Sequence, residues 1–433
     1  MKKLLRTIFI IFFAEFIIVS CLVLYFAHST QADYGKEYGV YNATYNLKPN
    51  MAPVADKTTV ESDPEYNIEA EVKVQGESIL ISEDIFFDGE RDKIGLYIPS
   101  ANIAETKIYN VVSDGTVTGI LKKETYIEIE LEEPSDSIKV VYEILPEADK
   151  QTLSHNKDGY YLTNFLITPF VYKDGQPVYT LKKSFGDPYI YEINNYHITF
   201  KTEKDLKIYA PGKKEEQIED DHKITTFEAL NIRDFPAVLL YDADVYVEKL
   251  GDVNLHFINS KEAGTYVKEA FSFAESNIGD YPYEDFFVVK APISINGMEF
   301  SNMIFLSDRC FGNPARLKNI AYHEVFHQWF YGIIGTDQLN EPFLDEGLVD
   351  YLATCLTNGK TRQWKGKDLK KPLKDYTNVS EYYNLAYYDS AAYFYTIHQK
   401  LGNNFYRLLS DIYNEWKFKI LYFDDFQQLV NNY

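Results

Sequence analysis

Two histidines four residues apart, His323 and His327, enclose a glutamate at position 324 in the run AYHEVFHQWF. Residues four apart on an α-helix share a face, so both imidazoles can reach one ion. Zinc takes imidazole nitrogens in a tetrahedral shell. A catalytic zinc keeps one position for water, so a third protein ligand is required. Eighteen residues after His327 comes Glu346, in LDEGLVDYLATCL, which has helical periodicity of its own. Two helices joined by a loop can bring Glu346 to the same metal. Glu324 sits next to the first ligand and cannot share its face. It points to the water side, where a carboxylate can take a proton from water and pass it to a leaving amine. The expectation is one Zn2+ held by His323, His327 and Glu346, with Glu324 as general base.

These residues need two helices and a scaffold. Asn313-Pro314 reads as a cap followed by proline in the first helical turn, opening the helix that carries both histidines. Upstream, residues 260–279 have apolar positions at helical spacing and end at Gly279, while EDFFVVKAPI and NMIFLS read as strands. From about residue 66 the period is two. NIEAEVKVQ, TYIEIELE and SIKVVYEIL alternate apolar and polar, and VYTLKKSF and YHITFKTEKDLKIYA follow as further strands. Turns at Asp114-Gly115, Asp158-Gly159, Asp174-Gly175 and Pro211-Gly212 separate them. Many short strands in series predict an antiparallel β-sandwich.

The N-terminus is of another kind. Lys2, Lys3 and Arg6 precede twenty apolar-dominated positions, Ile8 to Ala27. That is long enough to cross a bilayer core of about 30 Å. Basic residues before the run and acidic sequence after it predict a cytoplasmic N-terminus and an extracellular body. The alternatives are a signal cleaved near Ala27-His28-Ser29 or Thr30-Gln31-Ala32, and a lipoprotein box at Ile18–Cys21. The organisation expected is a membrane signal-anchor over 1–30, a stalk over 31–65, a β-sandwich over 66–250 and a catalytic region over 251–433.

The 433 residues carry a net charge of -22, which argues against a nucleic-acid partner. Cys21, Cys310 and Cys355 form no disulfide framework; Cys310 and Cys355 could pair, but buried free thiols are expected.

HEVFHQWF followed by LDEG after eighteen residues resembles the zinc aminopeptidases of the aminopeptidase N and leukotriene-hydrolase type. NGMEFSNMIFLS is similar to that family's G-x-M-E-N motif, with Gly297, Met298 and Glu299 matching and Phe300 in place of asparagine. The resemblance implies an α+β multidomain chain whose catalytic part is a thermolysin-like α/β zinc-peptidase domain. It gives Glu299, with Gly297 and Met298, the substrate's free α-amino group. It also implies a tyrosine that stabilises the oxyanion: Tyr387, or Tyr388 beside it, in YYDSAAYFYTIHQKLG. The family's large C-terminal helical domain is expected to be missing, since only residues up to Tyr433 follow Gly402, and with it a more open cleft is expected.

Asp350 lies four residues after Glu346. A metal-bound histidine donates its other N–H to an oxygen, so Asp350 is the candidate to orient His323. The reading is an extracytoplasmic zinc peptidase, most simply an aminopeptidase acting on peptides. Its rivals are a zinc endopeptidase and a catalytically silent binding module. The sequence leaves the oligomeric state open.

Overall fold

The computed structural model describes residues 66–433, except Asp149 and Asn358. The expected anchor over 1–30 and stalk over 31–65 lie outside the described residues. Among those described, no helix is long and apolar enough to cross a membrane. Residues 66–433 belong to one compact unit.

Thirteen strands between Tyr66 and Leu240 join in one hydrogen-bonded network. Most pairs are antiparallel, but Tyr66–Gln75 lies parallel to Asn194–Glu203, and Tyr126–Ala148 parallel to Ser154–Asn156. The first strand alternates buried and exposed through YNIEAEVKVQ, and its inward Ile68, Ala70 and Val72 join Ile79, Ile81 and Ile85 in the core. TYIEIELE and SIKVVYEIL, read as two strands, are one strand of 23 residues. It pairs with Ser78–Tyr97 across register shifts between Phe86 and Lys93.

VYTLKKSF is not a strand. Residues 178–193 form an irregular segment. Its apolar residues Val178 and Ile190 fill a separate cluster with Tyr97, Phe170, Tyr376 and Tyr382. They answer to that cluster rather than to a sheet face, and Gly186 and Pro188 interrupt any ladder.

The second sheet has five strands. Val253–Ile258, Asp285–Ala291 and Met303–Ser307 run parallel. Val245–Leu250 and Gly297–Phe300 lie antiparallel at its two edges. Val245–Leu250, which the sequence pattern groups with the first region, therefore belongs to the second. Helix α1 (Gly264–Asn277) supplies the crossover between the first two parallel strands. Helix α2 (Pro314–Phe326) opens as expected: the Asn313 side chain accepts from the Arg316 N–H at 3.2 Å. Helix α3 (Pro342–Thr357) is buried from Pro342 through Val349. It is closed in by a π-helical stretch over Tyr383–Asp389, which follows α4 (Val379–Tyr382), and by α5 (Ser390–Leu401). Helices α6 (Asn404–Trp416) and α7 (Phe423–Asn431) complete the chain. Phe271, Tyr281, Trp329 and Phe326 sit in the core that joins α1, α2 and α3.

Candidate metal centre and active site

Helix α2 delivers His323 from its last turn, and His327 caps its C-terminal end. Helix α3 brings Glu346 across. The His323 Nε2 to His327 Nε2 distance is 3.1 Å, His323 Nε2 to Glu346 Oε2 is 3.1 Å, and His327 Nε2 to Glu346 Oε2 is 3.4 Å. With bonds of about 2.0–2.2 Å, the edges of a tetrahedral zinc shell are roughly 3.3–3.5 Å. The triangle closes on nearly that size, so two imidazoles and a carboxylate fit zinc in both chemistry and spacing.

The opposite ring nitrogen of His327 is occupied. Nδ1 lies 2.9 Å from Asp345 Oδ1 and 3.2 Å from the Phe330 carbonyl. Donation from Nδ1–H to Asp345 fixes the tautomer that leaves Nε2 free for a metal. Asp345 is wholly buried, and its other oxygen accepts from Gln338 Nε2 at 2.8 Å. Asp350 faces the equivalent atom of His323 at 3.9 Å, which is ion-pair range and not a hydrogen bond. The firm second contact thus belongs to Asp345. The sequence carried a signal for it, an acid directly before the third ligand, but nothing tied that acid to His327.

Glu324 is 4% exposed, and its Oε2 has no hydrogen-bond partner. Burial pushes its carboxyl up to about 7, against the pull of His323 and His327. Gly297 lies against it: a Cβ added there would stand 2.3 Å from Glu324 Oε1 and 2.7 Å from Ile320 Cγ2. Only a residue without a side chain lets this strand approach the helix.

Glu299, also buried, has a carboxylate oxygen grouped with one of Glu324 and a ring nitrogen of His327, all within 4.8 Å of one another. Strand alternation turns Met298 and Phe300 the other way, into an apolar cluster with Phe305 and Val289. Met298 therefore offers a substrate only its backbone. For the same reason, phenylalanine at 300 leaves the cleft face of the strand unchanged.

Tyr387 is in the site. Its hydroxyl donates to Glu346 Oε1 at 2.6 Å, and its ring stacks with that of His323 at 5.8 Å. Tyr388 turns instead to the Arg362 guanidinium, 4.7 Å from its ring centre. Gly347 lets the start of α5 approach α3, since a Cβ there would fall 2.2 Å from Ser390 Cβ.

Asp187 had no signal in the sequence. It comes from the irregular segment, where Gly186 packs against the Tyr382 hydroxyl. Burial raises its carboxyl to about 7, and the negative charge of Glu346 adds to the rise. Burial opposes ionisation of Glu346 too, but the bonds from His323 and His327 outweigh it and hold that carboxyl below the usual range. Burial works to lower the His327 value, and Glu299 and Asp345 hold it well above. An enclosed site with several acids around two imidazoles favours a divalent cation over protons. Cys310 and Cys355 are free thiols.

Residues 263–428 match the Peptidase family M1 domain. No curated protein matches the chain. Among solved structures, the chain resembles an M1 zinc metallopeptidase from Deinococcus radiodurans, at 14% identity and a TM-score of 0.60. The likeness covers 86% of this chain and 90% of that one. A variant of that protein bound to a Tyr-Ser-Ala substrate matches with a TM-score of 0.59, 14% identity and the same coverage. Legionella pneumophila aminopeptidase A in complex with aspartic acid matches with a TM-score of 0.64 at 14% identity, over 86% of this chain and 48% of that one.

Proposed function

We propose that this chain, an M1-family zinc metallopeptidase by its domain over residues 263–428, removes residues from the free amino termini of peptides outside the cytoplasm. The observation that carries the reading is the place of Glu299. Its carboxylate lies within 4.8 Å of both the Glu324 oxygen and the His327 nitrogen, on a strand locked against the metal helix. A substrate ammonium seated on Glu299 leaves room for about one residue before the scissile carbonyl reaches the metal. An N-blocked peptide loses that charge-assisted bond.

Zinc bound by His323, His327 and Glu346 would supply Lewis acidity to a water and to the scissile carbonyl. Glu324 takes the water's proton on its unpartnered Oε2 and returns it to the leaving amine. Tyr387, released from Glu346, can donate its hydroxyl to the oxyanion. Gly297–Phe300 is the edge strand of its sheet, so a peptide laid beside it can pair with its backbone. The tripeptide and amino acid held by the similar structures are ligands of the class this reading predicts. Lys2, Lys3 and Arg6 before the apolar run support a single-pass anchor with the catalytic region outside.

The test compares a peptide with its N-acetylated form. We expect the free peptide to be shortened from its N-terminus and the acetylated one to resist. Equal cleavage of both would make this an endopeptidase. Glu324→Gln should lower kcat by about 10²–10⁴ while keeping zinc; no zinc and no turnover in wild type would leave only a binding module.

A further inference from the structure

The geometry points to Asp234 as a positioning residue that fixes how far Glu299 stands from the metal, and hence sets the selectivity for a free amino terminus. Glu299 holds little by itself: its carboxylate accepts one bond, from Gln338 Nε2 at 3.2 Å. Its place depends on the two-residue loop that follows, Ser301-Asn302, between the paired Phe300 and Met303.

That loop is bonded from two sides. Gln328, directly after the ligand His327, donates from Nε2 to the Phe300 carbonyl at 3.0 Å and accepts from the Asn302 N–H at 3.0 Å. This ties the loop to the metal helix. On the other side, Asp234 Oδ1 accepts from the Ser301 N–H at 2.9 Å and the Ser301 hydroxyl at 2.8 Å. The same oxygen accepts from the Tyr331 hydroxyl at 2.9 Å, and Tyr331 lies four residues past His327. One buried carboxylate oxygen therefore holds both the Glu299 loop and the turn that leaves the metal helix.

Asp234 is itself fixed. The neighbouring Arg233 is fully buried and donates to four carbonyls: Tyr331 at 2.8 Å, Tyr191 at 2.8 Å, Ile333 at 3.3 Å and Lys419 at 2.8 Å. Gly335 leaves space for that guanidinium, since a Cβ would stand 2.4 Å from its Cζ. The dipeptide thus fastens the first sheet, the metal helix and the C-terminal segment at one point. A misplacement of about 1 Å caused by a change far from the chemistry can cost on the order of 10²-fold in rate.

The inference rests on the amino-terminal reading above. The experiment measures kcat and KM on a free tripeptide and its N-acetylated form, with zinc content, for wild type, Asp234→Ala, Asp234→Asn and Ser301→Ala. We expect Asp234→Ala to raise KM for the free peptide about tenfold with a smaller change in kcat. Cleavage of the acetylated peptide and zinc content should stay unchanged. Asp234→Asn keeps an acceptor oxygen and should restore most of the preference. If both substrates decline together, or if the preference survives in Asp234→Ala, the positioning role is overturned. Should Asp234→Ala fail to fold, Ser301→Ala decides. That change removes the hydroxyl's bond to Asp234 and the two it accepts from the Arg233 and Asp234 N–H groups; we expect a preference reduced at least about fivefold, and an unchanged preference overturns the role. A wild type with no preference refutes the amino-terminal reading in the first arm and removes this inference with it.

Discussion

Tyr387 donates its hydroxyl to Glu346 Oε1 at 2.6 Å, while Glu346 Oε2 faces His323 at 3.1 Å. The two oxygens of one carboxylate are thus divided between a tyrosine and the metal position. This bond orients the third ligand in the resting site. In the proposed mechanism it also keeps the hydroxyl within reach of the place where negative charge would develop during cleavage. Tyr387→Phe should therefore act on two quantities. Loss of the oxyanion donor should lower kcat by about 10²–10³. Loss of support for Glu346 should weaken zinc about tenfold. Steady-state kinetics at saturating zinc separate the first from the second. An unchanged kcat at saturation would limit Tyr387 to ligand support.

Gly297 owes its identity to Glu324, whose Oε1 would stand 2.3 Å from an added Cβ. Gly297→Ala forces the Glu324 carboxylate or the edge strand to move. We expect kcat to fall on the order of 10²-fold with one zinc still bound. Full activity in this variant would mean that the strand yields at no functional loss.

Asp345 and Asp350 should differ in what they do for the metal. Asp345→Asn replaces the acceptor of His327 Nδ1–H at 2.9 Å and should reduce zinc affinity about 10–100-fold. Asp350 faces His323 Nδ1 from 3.9 Å, and Asp350→Asn should change it far less. Competition with a chelator measures both. A larger effect at Asp350 would reverse the assignment.

Glu83 makes stability depend on pH far from the metal. It is wholly buried, accepts from Tyr142 at 2.5 Å and from the Ile167 N–H at 3.0 Å, and its Oε1 has no partner. Burial raises its carboxyl from 4.5 to about 8. The folded state therefore keeps a proton that the unfolded chain gives up. The stability this contributes is complete below about pH 4.5 and is lost as pH rises through about 8. Glu83→Gln cannot ionise. Melting temperatures of both proteins from pH 5 to 9 should show wild type losing on the order of a few kcal/mol relative to the variant. A constant difference across that range would show that Glu83 is charged in the fold.

Much of the site was legible because helical spacing is a strong local constraint. His323 and His327 share a face whatever surrounds them. Asn313-Pro314 starts their helix by its own side chain and ring. Strand alternation gave the faces of Tyr66–Gln75 for the same reason: side-chain direction follows from the backbone period alone.

What the tertiary structure decided were the partners. Helix α3 is buried on all sides through its first half, so its apolar pattern marks no single face, and the spacing that points to Asp350 says nothing of Asp345. Which acid meets an imidazole depends on the angle at which α2 crosses. VYTLKKSF has a strand's composition, yet its apolar residues fill a cluster between elements far apart in the chain. Asp187 enters the site with that segment, and Asp234 meets Ser301 across 67 positions. Such contacts have no period to betray them. The sequence by itself singled out the three candidate metal ligands, which the fold brings together, and Glu324 as the candidate base. The fold alone decided what holds them, because burial and hydrogen bonding across distant segments are properties of packing and not of spacing.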